Sequence, residues 1–132
     1  MNLTKSSRYA LYAALEMAMA GDEPVTAAGV AAKHHISPTV LAKILQQLVR
    51  AGIAIGARGM GGGYRLARQG SSISVLDVVS VFESPRSHTG HVSREDRDKS
   101  DLGLLRLFDE VDEQVRCTFA SVSLDTLAGK GR

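Results

Sequence analysis

One cysteine, Cys117, is all the thiol that this chain of 132 residues holds. A disulfide framework within the chain is excluded, and the count suits a reducing compartment. Long apolar runs are missing too. None reaches the roughly 18 residues that cross a bilayer, and the most apolar stretch, Tyr9 to Ala20, carries Glu16. The first residues lack the charged, apolar and small-residue succession of a cleavable signal. A cytoplasmic location and no membrane partner are therefore expected. Charge of either sign is not in large excess, with 16 Lys and Arg against 14 Asp and Glu and a formal net charge of +2. No nucleophile, general base and orienting group share one pocket-forming motif, which argues against an enzyme.

What is present reads as ordinary globular protein, 44% hydrophobic and 23% charged, enough for one domain with one modest core and an arm. The charge is unevenly placed. Residues 1–83 hold eight Lys and Arg against five Asp and Glu, and residues 84–132 eight against nine. The first part suits an anionic partner such as a phosphate backbone. Three sections are expected: a compact region over 1–83, a polar loop over 84–101, and a C-terminal helix with a fraying tail over 102–132.

A first helix is predicted from about Ser6 to Ala20 on the spacing of Leu11, Ala14, Leu15 and Ala18, and Gly21-Asp22-Glu23-Pro24 ends it. Thr26 caps a short second helix through His34, whose small residues let a neighbour pack close. The third helix opens with Ser37 as N-cap and Pro38 at its first position, where a missing donor costs nothing. Leu41, Ile44, Leu45, Leu48 and Val49 form one apolar stripe. Thr39, Lys43, Gln46, Gln47 and Arg50 fall on the other face, where amides and cations can meet base edges and phosphates in a major groove. On this helix alone, a face that meets only water explains the pattern equally well.

The next segment decides between them. Ile53 to Gly56 reads as a strand and Tyr64 to Leu66 as its antiparallel return, with Gly59, Gly61, Gly62 and Gly63 in the turn. Glycine tolerates positive φ and leaves the backbone bare for close approach to a phosphate. Arg58 and Arg65 flank that approach. The pattern is a small β-wing behind a helix-turn-helix: a mainly α fold, a winged helix. A nucleotide loop would need Gly-Lys-Ser/Thr or a turn that opens a helix, and here Tyr64 and a strand follow. A hairpin with no ligand is the remaining alternative. Ser74 and Asp77 then form a capping box that opens a fourth helix to about Phe82, with Val75, Val78, Val79 and Phe82 inward and Pro85 ending it.

In the C-terminal section Leu104, Phe108, Val111, Val115, Phe119 and Val122 recur at steps of three and four, the stripe of a helix that packs along another. The alternative is a helix folded back on its own domain. Cys117 falls opposite the stripe, beside Glu110, Glu113 and Arg116. A redox-sensing thiol and an indifferent one both stay open. His88 and His91, three apart in a charged loop, are too few for a metal site.

Leu3-Thr4, Arg8-Tyr9-Ala10-Leu11, Ile36-Ser37, Leu41, Leu48, Ala51-Gly52, Arg58-Gly59, the run Gly61 to Ala67, and Ile73 with Asp77-Val78-Val79 resemble the Rrf-two family of bacterial winged-helix regulators. The resemblance covers residues 1–83 at motif level and the rest by helix pattern only. It implies a homodimeric transcription factor, usually a repressor, on a pseudo-palindromic site in double-stranded DNA, with the C-terminal helix as dimer interface. It also implies that Thr39, Val40 and Lys43 touch bases, that Arg58 to Gly63 reach the adjacent minor groove, and that Lys5 and Arg8 lie near phosphates. The expected DNA-binding set is thus Lys5, Arg8, Ser37, Thr39, Val40, Lys43, Gln47, Arg50, Arg58, Gly59, Gly61, Gly62, Gly63, Tyr64 and Arg65. Lys33 joins the cations that displace counterions.

Two departures limit the resemblance. Several members carry Glu where this chain has Ala42 and an aromatic where it has Val40, so base preference does not transfer. Many also hold an iron–sulfur cluster with three cysteines after the fourth helix, and here residues 86–101 contain none. No cluster, metal or other cofactor is expected, and the signal is expected to enter by a small ligand, a partner protein or Cys117. The rival from another class is a protein-interaction module that kept the winged helix and lost DNA binding. Lys43, Gln47 and Arg50 on the exposed face argue against it.

Overall fold

The computed structural model describes residues 3–57, 62–83 and 99–130. In chain order these form α1 (Lys5–Ala20), α2 (Ala27–His34), α3 (Pro38–Arg50), β1 (Ala54–Ala57), β2 (Gly63–Leu66), a 3-10 turn (Gly70–Ser72), α4 (Val75–Val79), α5 (Lys99–Ser121) and α6 (Leu124–Leu127). α1 starts where the Thr4 hydroxyl accepts the Ser7 amide at 3.2 Å, which satisfies one orphan donor. It packs against α3, α4, α6 and β2. Its buried face is Ala10, Ala13, Ala14, Met17 and Ala18, with Leu11 and Leu15 half-buried on the flank. That is a rotation from the face expected of Leu11 and Leu15. Alanine accounts for it, because short side chains let α3 approach with Leu41, Leu45 and Leu48 fully buried.

The helix-turn-helix is built from caps. Thr26 accepts the Gly29 amide at 3.0 Å to start α2. α2 ends on His35 in left-handed backbone at φ 57°, and the Ile36 amide returns to the Ala31 carbonyl at 2.9 Å. Three residues then lead into α3. Ser37 occupies the N-cap as expected, but its side chain makes no capping bond; Pro38 starts the helix and the Ser37 carbonyl accepts the Leu41 amide. At the far end Gly52 takes φ 78°, its amide reaches Val49, and the Ile53 amide reaches Leu48. This pair of bonds is a Schellman ending, which turns the chain sharply into β1. Val49 belongs to the expected stripe yet is 36% exposed, at the edge of the buried face.

β1 and β2 pair antiparallel in the register Ala54–Leu66, Ile55–Arg65, Gly56–Tyr64 and Ala57–Gly63. Val25, between α1 and α2, supplies a third edge: it exchanges two backbone hydrogen bonds of 2.8 Å with Tyr64. α4 carries the expected capping box of Ser74 and Asp77. It ends at Val79, short of Phe82, where Val81 and Phe82 donate back only three residues and tighten the chain out of the helix. Pro85, expected to end it, lies outside the described residues.

Where a fraying tail is expected, the described part, through Lys130, folds onto the domain. Ser123 accepts the Thr126 amide at 3.0 Å and starts α6, Val75 donates to the Val122 carbonyl, and Leu124 donates to Ile73. Leu124 is fully buried in the core. Lys130 then reaches back to the Ala18 carbonyl at 2.6 Å.

Candidate nucleic-acid interface

The α3 stripe fixes what its other face can do. With Leu41, Ile44, Leu45 and Leu48 in the core, Ser37, Thr39, Val40, Lys43, Gln46, Gln47 and Arg50 are exposed. Val40, 42% exposed at the start of the helix, presents an aliphatic group of the kind that meets a thymine methyl. Lys5 and Arg8 are exposed on the first turns of α1, and Arg65 is exposed on β2. Among the described residues no carboxylate lies within ion-pairing distance of Lys5, Arg8, Lys43, Arg50 or Arg65. Among these residues their charge is uncompensated at short range, which suits phosphate.

Lys33 differs from these five. Its ammonium lies 2.7 Å from Glu16, whose carboxylate also accepts from His34 Nε2 at 3.0 Å. His34 stacks on Tyr12 with ring centroids 4.8 Å apart. Partial burial pushes the Glu16 carboxyl up, but the hydrogen bonds from Lys33 and His34 and their charge outweigh it and leave the pKa below the ordinary value. These contacts tie α2 to α1.

At the wing, Gly62 is exposed, while Gly63 and Tyr64 are half-buried. A Cβ on Gly63 would lie 2.5 Å from the Val25 carbonyl oxygen, and the Tyr64 side chain packs against the core. Both residues anchor the wing. The expected contacts Arg58, Gly59 and Gly61 lie outside the described residues. A second anchor has no signature in sequence spacing. Glu83, 79 residues away, accepts the Thr4 amide at 2.9 Å, and it accepts the hydroxyl of fully buried Ser7 at 2.8 Å. It thereby holds the start of α1, where Lys5 and Arg8 stand.

On α5, Leu104, Phe108 and Val111 are 50%, 45% and 42% exposed, while Val115 and Phe119 are half-buried. Val122 falls beyond the helix, half-buried, and belongs to the tail's pairing with Val75. Cys117 is exposed opposite this stripe, and its thiol donates to Glu113 Oε1 at 3.6 Å. Among the described residues no three His, Cys, Asp or Glu side chains could hold a metal ion, and no helix is long and apolar enough to cross a membrane. His88 and His91 lie outside the described residues.

Comparison with known proteins bears on this arrangement. The profile of the family Rrf2, described as iron-dependent transcriptional regulator, matches residues 3–130. The relative BadM of Rhodopseudomonas palustris is 37% identical over 127 residues, which covers 96% of this chain and 81% of its own. IscR of Xenorhabdus nematophila is 31% identical over 129 residues, covering 96% and 79%. Among solved structures, CymR, titled the global cysteine regulator of B. subtilis, superposes with a TM-score of 0.83 at 25% identity over 100% of this chain and 99% of its own.

Proposed function

Because the chain belongs to the Rrf2 family, a non-enzymatic class of DNA-binding bacterial transcriptional regulators, we propose that it is a homodimeric repressor of a pseudo-palindromic promoter site. The observation that carries this reading is a set of cations on three elements with no ion-pair partner among the described residues: Lys5 and Arg8 on α1, Lys43 and Arg50 on α3, Arg65 on β2. Thr39, Val40, Lys43 and Gln47 read base edges from the major groove, with Ser37 at the helix start and Arg50 on phosphate. The wing arginine and glycines, Arg58 to Gly63, reach the neighbouring minor groove. Two α3 helices bind about 34 Å apart, or a small multiple of it.

Dimerisation rests on the face of α5 that carries Leu104, Phe108 and Val111, joined by Val115 and Phe119. Apolar side chains exposed at this density along one helix call for a cover, and a second copy of α5 supplies one of matching shape. Residues 1–83 then act as the reader and α5 as the dimer arm, with α6 locked into the reader's core. The protein works in the cytoplasm, beside its promoter.

The donor set does not fit an iron–sulfur cluster. Such clusters are held by several thiolates, and this chain has one cysteine, which faces a carboxylate. The regulator therefore works without a cluster, its signal entering through a small ligand, a partner protein or Cys117. Two experiments test the reading. Genomic fragments that co-purify with the protein should share an inverted repeat and be retarded in gel shifts at low salt; indifference to them all defeats it. Protein purified without oxygen should show neither a visible iron–sulfur band nor stoichiometric iron, and either one overturns the cluster-free reading.

A further inference from the structure

Between the C-terminal end of α1, the base of the wing and the tail lies a cleft of about 400 Å³, within the range that holds small organic ligands. Its apolar part is small: Leu66 is half-buried, and Met17 and Ala18 behind it belong to the core. Ile55 lines it too, 37% exposed and directly opposite Arg65 in the β ladder. Three cations, Arg65, Arg68 and Lys130, and two carboxylates, Asp22 and Asp125, complete the lining. Asp77, beside the cleft, offsets Arg68, so attraction for an anion is concentrated at Arg65.

The cations are not equivalent. Lys130 is held by the Ala18 carbonyl at 2.6 Å and Arg68 faces Asp77 at 3.6 Å. Arg65 has no ion-pair partner among the described residues, and its planar fork is suited to bidentate capture of a carboxylate. We propose that this cleft binds a small amphipathic carboxylate as effector, with the anionic end on Arg65, Arg68 beside it, and the apolar body against Ile55 and Leu66. Asp22 and Asp125 keep a second anionic group out. They also receive an ammonium if the ligand has one, so a simple fatty acid and an apolar α-amino acid are two sources of the same chemistry.

The site deepens the DNA-binding reading and rests on it for its consequence. Arg65 is the same side chain offered to phosphate, and a guanidinium engaged by a ligand carboxylate is withdrawn from DNA. By linkage, DNA weakens the ligand by the same factor. The tail that carries Asp125 and Lys130 continues directly from α5, so an occupied cleft also bears on how the dimer arm meets the reader.

The test titrates the full-length, isotopically labelled protein with hexanoate, leucine, hexylammonium and acetate, and follows backbone amide shifts. Hexanoate or leucine should give saturable shifts centred on residues 21–22, 65–70 and 125–130, and whichever binds identifies the source. Acetate should bind at least tenfold more weakly, and hexylammonium should give no such shifts. The double variant Arg65→Gln, Arg68→Gln should raise the dissociation constant at least tenfold while its remaining amides keep their native dispersion. The proposal is overturned by no saturable shift with either carboxylate, by an equal response to hexylammonium, or by unchanged affinity in the double variant. Gel shifts on co-purified genomic fragments separate the two readings. Saturable shifts without DNA retardation sink the DNA reading alone, and retardation without shifts sinks this one alone.

Discussion

Gly63 is where the wing is pinned to the helices. An added Cβ would meet the Val25 carbonyl oxygen at 2.5 Å and its carbon at 3.0 Å. That is backbone, and it can retreat only by loosening the Val25–Tyr64 pairing. Gly63→Ala is expected to cost ~1–3 kcal/mol in urea unfolding. Gly56, where an added Cβ meets nothing within 4 Å, is the control, and Gly56→Ala should stay within ~0.5 kcal/mol. Equal effects at the two positions would mean that the wing does not depend on this close approach. Glu16 makes a different kind of prediction. Its carboxyl is depressed below 4.5 by Lys33 and His34 against the opposing pull of burial, so its contribution is complete above that pH and is lost as pH falls through the folded value. Glu16→Gln should cost ~1 kcal/mol at neutral pH, since Lys33 is well exposed and screened. The gap to the parent should close below pH 4.5. Parallel pH profiles for the two proteins would remove Glu16 from the acid dependence.

At the scale of elements, α6 separates what local pattern reveals from what it hides. α3 was legible because one apolar stripe, a proline start and a glycine end all point to the same helix, and the turn glycines behind it marked a wing. The tail was not legible. Val122 continues the spacing of α5, so periodicity counted it into the dimer stripe, while the chain in fact leaves the helix at Ser121 and pairs with Val75. A signal was available in Ser123 followed by Asp125, an N-cap with an acid in the first turn. Val25 as a third sheet edge and Glu83 as anchor of α1 depend on tertiary contact alone, and no spacing rule reaches them. In the candidate interface the exposed face of α3 was readable for the same reason as its core. The pairing of Lys33 with Glu16 was not, because it joins two helices. The tail's burial is open to measurement. Leu124→Ala leaves a cavity in the core and should cost ~2–5 kcal/mol. A loss within ~0.5 kcal/mol would mean that the tail is an appendage after all.

For the whole molecule, the count of cations that meet DNA can be measured, because each phosphate contact releases counterions and sets the salt dependence. Lys5, Arg8, Lys43, Arg50 and Arg65 are unpaired among the described residues, and a two-fold assembly presents each of them twice. If all engage, log Kobs against log salt falls with a slope of roughly −9, before any share from Arg58. Arg50→Ala should make that slope shallower by about 2, since one substitution removes two phosphate contacts from a dimer. Lys33→Ala should leave it unchanged, because that ammonium already faces Glu16. Phe108→Asp places a charge in the exposed stripe of α5 without entering the core. It should yield monomers by light scattering and halve the slope, since a lone protomer meets one half-site. A monomeric variant that keeps the parent's slope would mean that one protomer makes every contact, and the paired-helix geometry would have to be given up even though the cations still bind DNA.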